Sequence, residues 1–222
     1  MRPETRSCSE CSQLNCYQRE KHYPDFCLTE SSDENSCAAA IARYQGNGLD
    51  ARIARATAEL QGEYYGKLTR IEEIIAFAYR MGAQKIGIAS CLGLIDETRI
   101  FVRVLRLAGF DTYTALCKVG SVDKTDIGII EEKKIQPGRF EAACNPILQA
   151  TLLNQQLVDL NVIVGLCVGH DSLFIKNAEA PVTTLLTKDV ITGHNPAAAL
   201  YTTRTCNKRL LDAEYLRSLN NE

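Results

Sequence analysis

The sequence predicts an α/β fold, Rossmann-like, with a mainly parallel sheet of about four or more strands and flanking helices. Two observations carry this. Short apolar runs alternate with amphipathic stretches of helical period, at the spacing of βαβ units. Ahead of them lies a polar, cysteine-rich stretch, too poor in apolar residues to build a core of its own. The 222-residue chain therefore divides into a small cysteine-rich metal-binding module over 1–36 and an α/β domain with a helical lead-in over 37–222.

The elements follow in order. Ser31-Ser32-Asp33-Glu34-Asn35 reads as a loop. From Leu49 the pattern turns helical, with Ile53, Ala56 and Leu60 on one face. Thr69-Arg70-Ile71-Glu72 is a capping box that opens the next helix. Ile71, Ile74, Ile75 and Ala78 form its buried stripe, and Gly82 closes it. Lys85 to Ala89 is a buried parallel strand. Asp96 caps a helix whose stripe is Ile100, Val104 and Leu107, ending at Gly109. Tyr113 to Leu116 form a second strand. Asn145 caps a helix that begins at Pro146 and runs to about Gln156. Asn161 to Leu166 form a third strand, Asp171 caps a short helix through Lys176, and Pro181 to Leu186 form a fourth strand. His194-Asn195-Pro196 opens another short helix. The charged stretch from Lys118 to Arg139 exceeds an ordinary βα connection, and long loops in compact domains are functional or disordered. Within it, Asp123-Lys124-Thr125-Asp126 suits a lid, a partner surface or a merely solvated turn.

Bulk composition narrows the function classes. A net charge of −2 gives no electrostatic reason to expect nucleic acid or an anionic membrane as partner. No apolar run approaches the ~20 residues that span a bilayer. The start, Met1 to Arg6, lacks the apolar segment of a signal peptide, so a cytoplasmic location is expected. In that reducing compartment the 10 cysteines are not expected to form structural disulfides. Gly-x-Gly-x-x-Gly, Gly-x4-Gly-Lys-Ser/Thr and Gly-x-Ser-x-Gly are all absent, so dinucleotide, nucleoside triphosphate and serine-hydrolase chemistry are not indicated.

The cysteines form two groups. Cys8, Cys11, Cys16 and Cys27 supply four thiols in a short span, a donor set for tetrahedral zinc or an iron–sulfur cluster. The second group depends on the fold. Cys91 follows the first predicted strand, Cys117 ends the second and Cys167 ends the third. Cys144 precedes the helix that leads back to the third. In open α/β sheets ligands bind outside the carboxyl ends of the strands. Four thiols at equivalent topological positions are thus expected to meet there, where helix N-termini favour thiolates. Gly93, Gly120, Gly165 and Gly169 allow backbone to approach a cluster closely. A single cysteine at a strand end is more often inert core; the argument rests on the coincidence of four. Cys37 and Cys206 lack such placement and read as bystanders, Cys37 doubling as a spare N-terminal ligand. His170, three residues after Cys167, is placed to be a ligand, a proton donor or a capping-region histidine. His194 holds a similar place after the fourth strand, and His22 is a substitute ligand in the N-terminal module.

Longer motifs resemble a known family. The N-terminal Cys-x2-Cys-x4-Cys, Lys85-Ile86-Gly87-Ile88-Ala89-Ser90-Cys91, Cys117-Lys118-Val119-Gly120, Cys144-Asn145-Pro146-Ile147, Gly165-Leu166-Cys167-Val168-Gly169-His170-Asp171-Ser172-Leu173-Phe174 and Gly193-His194-Asn195-Pro196 together look like DUF1847. Its members are uncharacterised, predicted metal-binding proteins of anaerobic bacteria and archaea. The resemblance runs from Cys8 to Tyr201. It implies metal binding without an established reaction. It supports Cys8, Cys11, Cys16 and Cys27 as one ligand set and is compatible with Cys91, Cys117, Cys144 and Cys167 as a second. An anaerobic setting favours iron–sulfur clusters, [4Fe–4S] first, over zinc.

Three functions compete. The first is an iron–sulfur protein, an oxidoreductase if it is an enzyme, in which the N-terminal cluster passes electrons and the crevice cluster binds or reduces a small substrate. His170 is then the proton donor and Lys118 the anion contact. Its partners would be a redox protein and a small-molecule substrate, with a homo-oligomer compatible. The second is a zinc-stabilised module that binds a small molecule or metal without catalysis. The third is thiol redox catalysis by Cys167 or Cys91, disfavoured because no Cys-x2-Cys lies at a strand–helix junction.

Overall fold

The computed structural model describes residues 6–18 and 22–220. Residues 1–5 of the expected cysteine-rich module, and the reading of Met1 to Arg6 as no signal peptide, lie outside them save for Arg6. The chain forms two compact units, 1–63 and 64–222.

In the first unit a 3-10 turn at Cys8–Glu10 precedes two short helices, α1 (Asn15–Gln18) and α2 (Leu28–Ser31). Helix α3 (Glu34–Gln45) follows, and α4 (Leu49–Tyr64) ends at the unit boundary. Asp33, which the sequence reading left in a loop, caps α3 by accepting from the Asn35 and Ser36 amides. The helix beyond it is driven by Ala38-Ala39-Ala40, strong helix formers that carry no amphipathic signal. Ala56 and Leu60 of α4 are buried and Ile53 is half-buried, as the pattern predicts.

The second unit holds the sheet. Its strands are β1 (Lys85–Ser90), β2 (Asp111–Leu116), β3 (Leu160–Val164) and β4 (Val182–Leu186). They pair in the order β2-β1-β3-β4, and all three pairings are parallel. The chain leaves β1 for one neighbour and later returns to its other side, so the order reverses between β1 and β3. Such a switch point opens a crevice at the carboxyl edge.

Helices cover both faces. Helices α5 (Arg70–Met81) and α6 (Ile95–Leu107) bury Ile74, Ala78, Phe101 and Leu105 against Ile86, Ile88, Val162 and Val164. On the other face α7 (Pro146–Gln155) and α8 (His170–Asn177) pack Ala150, Leu153 and Phe174 against Ala89, Ala115 and Ile163. Each fully buried large side chain contributes roughly 1.5–3 kcal/mol. Helix α5 shows the capping box of Thr69 and Glu72 and a left-handed Gly82 at its end. Asn145 accepts from the Leu148 amide, with Pro146 in the first turn of α7. Shorter helices α9 (Ala197–Tyr201) and α10 (Ala213–Ser218) close the unit.

Helix α6 corrects the sequence reading. Ile100 and Leu107 are 66% and 80% exposed, whereas Thr98, Phe101 and Leu105 are buried. A 3-10 turn at Leu92–Leu94 intervenes after Cys91, so the cap is Leu94 rather than Asp96. Thr98 is satisfied inside by Ser90 Oγ and the Leu94 carbonyl, each at 2.7 Å.

Candidate functional site

The four body cysteines stand where the strand ends place them. The Cys91 amide donates to Val164 O at 3.0 Å, which ties the end of β1 to that of β3. The Cys117 amide donates to Ser90 O at 2.8 Å, tying β2 to β1. The Asn145 amide donates to Cys117 O at 2.8 Å and so brings Cys144 to the same edge. Cys167 follows β3 through Gly165, whose φ of +67° turns the chain where a Cβ would lie 1.8 Å from Leu94 Cδ1. Beneath this edge lies Gln149 of α7, fully buried, its Nε2 donating to Ala115 O at 2.7 Å and Ser90 O at 3.2 Å. One amide thereby fixes the last turns of β1 and β2.

All four thiols line one cavity of about 690 Å³ at the carboxyl edge, within the 300–1,000 Å³ of small-molecule sites. Lys118, His170 and Lys188 line it too. All ten cysteines are free thiols. Cys91 and Cys117 are buried, and Cys144 and Cys167 are half-buried.

Electrostatics divides these thiols. The neighbouring Cys117 thiol, with Lys118 and the nearby His170, acts against burial and lowers the Cys144 pKa to about 5. The same contact, reinforced by burial, pushes Cys117 far up. The first proton lost belongs to the pair, and the charge rests on Cys144. Burial raises Cys167 despite Lys188. Lys188 Nζ lies 2.8 Å from Cys91 Sγ, and that contact raises the amine's pKa. The Leu92 amide donates to Cys117 Sγ at 3.3 Å, and Lys118 Nζ donates to Ala142 O at 2.5 Å.

The connection from Lys118 to Cys144 forms a wall of the cavity. It folds back on itself through an antiparallel bridge between Asp123 and Ala142. Its interior is held by Lys134, whose side chain is 2% exposed and pairs with Asp123 and Glu131 at 2.7 Å each. Lys124 pairs with Glu141 beside it.

Lys188 was missed in the sequence. It follows β4 as the cysteines follow their strands, so the carboxyl-edge argument applied to the fourth strand would have found it. His194 lies outside the cavity lining; it has φ +67°, and its Nδ1 accepts from the Asp189 amide at 3.2 Å, the geometry of a turn.

The N-terminal thiols are arranged differently. Cys8 opens the 3-10 turn, Cys11 follows it, Cys16 lies in α1 and Cys27 caps α2. Burial raises the Cys27 pKa, but hydrogen bonds from Thr29 and the Glu30 amide outweigh it, so the net shift is downward. Among the described residues no group of three or more His, Cys, Asp or Glu side chains is set up as a metal-ligand cluster, in either unit. The donor chemistry of the crevice lining, four soft sulfurs, is of the type that zinc and iron–sulfur clusters take.

Fold and site together define a parallel α/β protein with a thiol-lined crevice at its switch point. The chain belongs to the DUF1847 family, described as proteins of unknown function, whose model matches residues 27–185. It is 40% identical over 207 residues to the uncharacterised protein MJ0455 of Methanocaldococcus jannaschii, covering 93% of this chain and 99% of that one. No helix among the described residues is long and apolar enough to cross a membrane.

Proposed function

We propose that the crevice is a metal-binding site, an iron–sulfur cluster held by Cys91, Cys117, Cys144 and Cys167, that serves electron transfer or reduction of a small substrate. One observation carries this reading: thiols from four separate strand and helix ends line a single cavity. Thiolates are the ligating form, and Lys118 and Lys188 stand beside them to offset their charge. When bound, such a cluster supplies one-electron chemistry. His170 lines the same cavity as the proton donor, and Lys118 is the contact for an anionic substrate. Cys8, Cys11, Cys16 and Cys27 are the second ligand set, for electron entry from a redox partner in the cytoplasm, or for structural zinc.

The test is iron, zinc and acid-labile sulfide content after oxygen-free purification, for the wild type and for Cys144→Ala. Iron and sulfide that fall in the variant support the crevice cluster. Zinc alone, unchanged in the variant, supports the binding module without catalysis.

The Cys117–Cys144 contact favours a second reading, thiol–disulfide exchange. The Cys144 thiolate attacks a substrate disulfide and releases one substrate thiolate. Cys117 loses its proton and displaces the second, leaving a Cys117–Cys144 disulfide and a fully reduced substrate. Metal-free protein that forms this disulfide on titration with oxidised glutathione supports it.

A further inference from the structure

We infer that the crevice binds a small organic acid: a carboxylate or comparable anionic group carried on an apolar body. This rests on the crevice being the working site and adds the chemistry of what enters it. The cavity is lined by four lysines, Lys118, Lys124, Lys133 and Lys188, against one carboxylate, Glu141. Lys124 is neutralised by Glu141, and Lys188 is held at Cys91 Sγ. Lys118 donates to a carbonyl and stands beside Cys144, and among the described residues neither it nor Lys133 has a carboxylate partner. Both residues line the cavity, and an ammonium has three donors, so each retains at least one for a ligand. That pair selects an anion and disfavours a cation.

The opposite character comes from the connecting loop. Ile127, Ile129 and Ile135 all line the cavity and are 59%, 37% and 83% exposed. They lie on a loop in which Lys134 is buried and paired with Asp123 and with Glu131 at the surface. The loop thus buries a lysine while three isoleucines stay outside, against the usual preference. Aliphatic area presented to a cavity is covered when an apolar ligand body occupies it. An inorganic oxyanion would use the lysines and leave the three isoleucines bare. An organic acid uses both walls.

The probes are hexanoate, hexylamine and inorganic phosphate, titrated calorimetrically into the full chain after oxygen-free purification, with iron, zinc and sulfide measured on the same sample. Hexanoate is expected to bind and to slow alkylation of Cys144, phosphate to bind more weakly, and hexylamine to give no heat. Lys133→Gln, a change at an exposed side chain that leaves the fold intact, and Lys118→Gln should each weaken hexanoate roughly fivefold to tenfold, the scale of one partly screened charge. Ile129→Ser should weaken it roughly tenfold through lost apolar contact. Hexylamine binding as tightly as hexanoate, or hexanoate binding indifferent to all three variants, would overturn the inference. Protein that holds metal in the crevice yet binds no hexanoate also overturns it and leaves the metal reading standing. Protein that binds hexanoate without metal upholds it while removing the metal reading.

Discussion

The Asn145 amide donates to the Cys117 carbonyl at 2.8 Å, and Asn145 also caps helix α7. One residue therefore sets both the start of that helix and the position of the thiol before it. Through this bond Cys144, which belongs to no strand, reaches the edge that β1, β2 and β3 build. Its interaction with Cys117 then makes the two thiols unequal.

That inequality predicts selective alkylation in metal-free protein. The Cys144 thiolate persists down to about pH 5, so its iodoacetamide rate should hold level above pH 6 and fall below pH 5. Cys167, raised by burial, should react only in alkaline solution. Cys117→Ala should move the Cys144 inflection upward by more than one pH unit. Peptide mass spectrometry of alkylated protein reads all three. A Cys144 rate that still rises between pH 7 and 9 contradicts the pairing.

The loop between Lys118 and Cys144 should be pH-dependent at both extremes and indifferent between. Asp123 and Glu131 are held below the usual carboxylate range by Lys134, and Glu141 by Lys124. Carboxylates with lowered folded pKa stabilise fully above their unfolded values and lose that contribution as pH falls through the folded ones. Lys134 is raised, by Asp123 first and then Glu131; it stabilises fully below the unfolded lysine value and loses this as pH rises through its own. Protection of peptides from 118–145 against hydrogen exchange, corrected for intrinsic rate, should be flat from about pH 5 to pH 10 and fall outside that window. Lys134→Met should lift exchange in this loop at every pH and leave the sheet unaffected.

The same loop shows where reading the sequence stops. Thr69, Glu72, Gly82, Asn145 and Pro146 mark helix ends by local chemistry, and each performs that local task in the structure. The carboxyl-edge cysteines were legible because strand periodicity fixes which residue follows each strand. Lys134 was not legible: its burial depends on Asp123 and Glu131 meeting it across a loop without periodicity. The inward face of α6 is encoded by Leu94, Thr98, Phe101 and Leu105 at helical spacing, in competition with the more apolar-looking Ile100, Val104 and Leu107. Lys188 is legible by the same rule as the cysteines, since it follows the fourth strand as they follow theirs.

Gly165 should be intolerant of any side chain. Alanine there meets both a left-handed backbone and Leu94 Cδ1 at 1.8 Å. Gly165→Ala is expected to destabilise the second unit by about 3 kcal/mol, summing backbone strain and overpacking. Chemical denaturation gives the value directly, and a loss under about 1 kcal/mol would show that the edge relaxes freely.

Gln149→Leu keeps the volume and removes the amide. Ser90 O and Ala115 O each keep a sheet partner, and each loses its bond from Gln149. The expected cost is about 2 kcal/mol in the same denaturation assay. Because Ser90 and Ala115 lead into Cys91 and Cys117, the variant should also broaden the alkylation profile of Cys144.

The central claim is that four thiols act together in the crevice. The most direct measurement is the iron, zinc and sulfide content of oxygen-free wild type and Cys144→Ala, each confirmed folded by circular dichroism. The account predicts iron and sulfide in the wild type and the loss of the crevice's share in the variant, with any metal on the N-terminal cysteines retained. A folded wild type without metal, or a Cys144→Ala protein with undiminished metal, would contradict it.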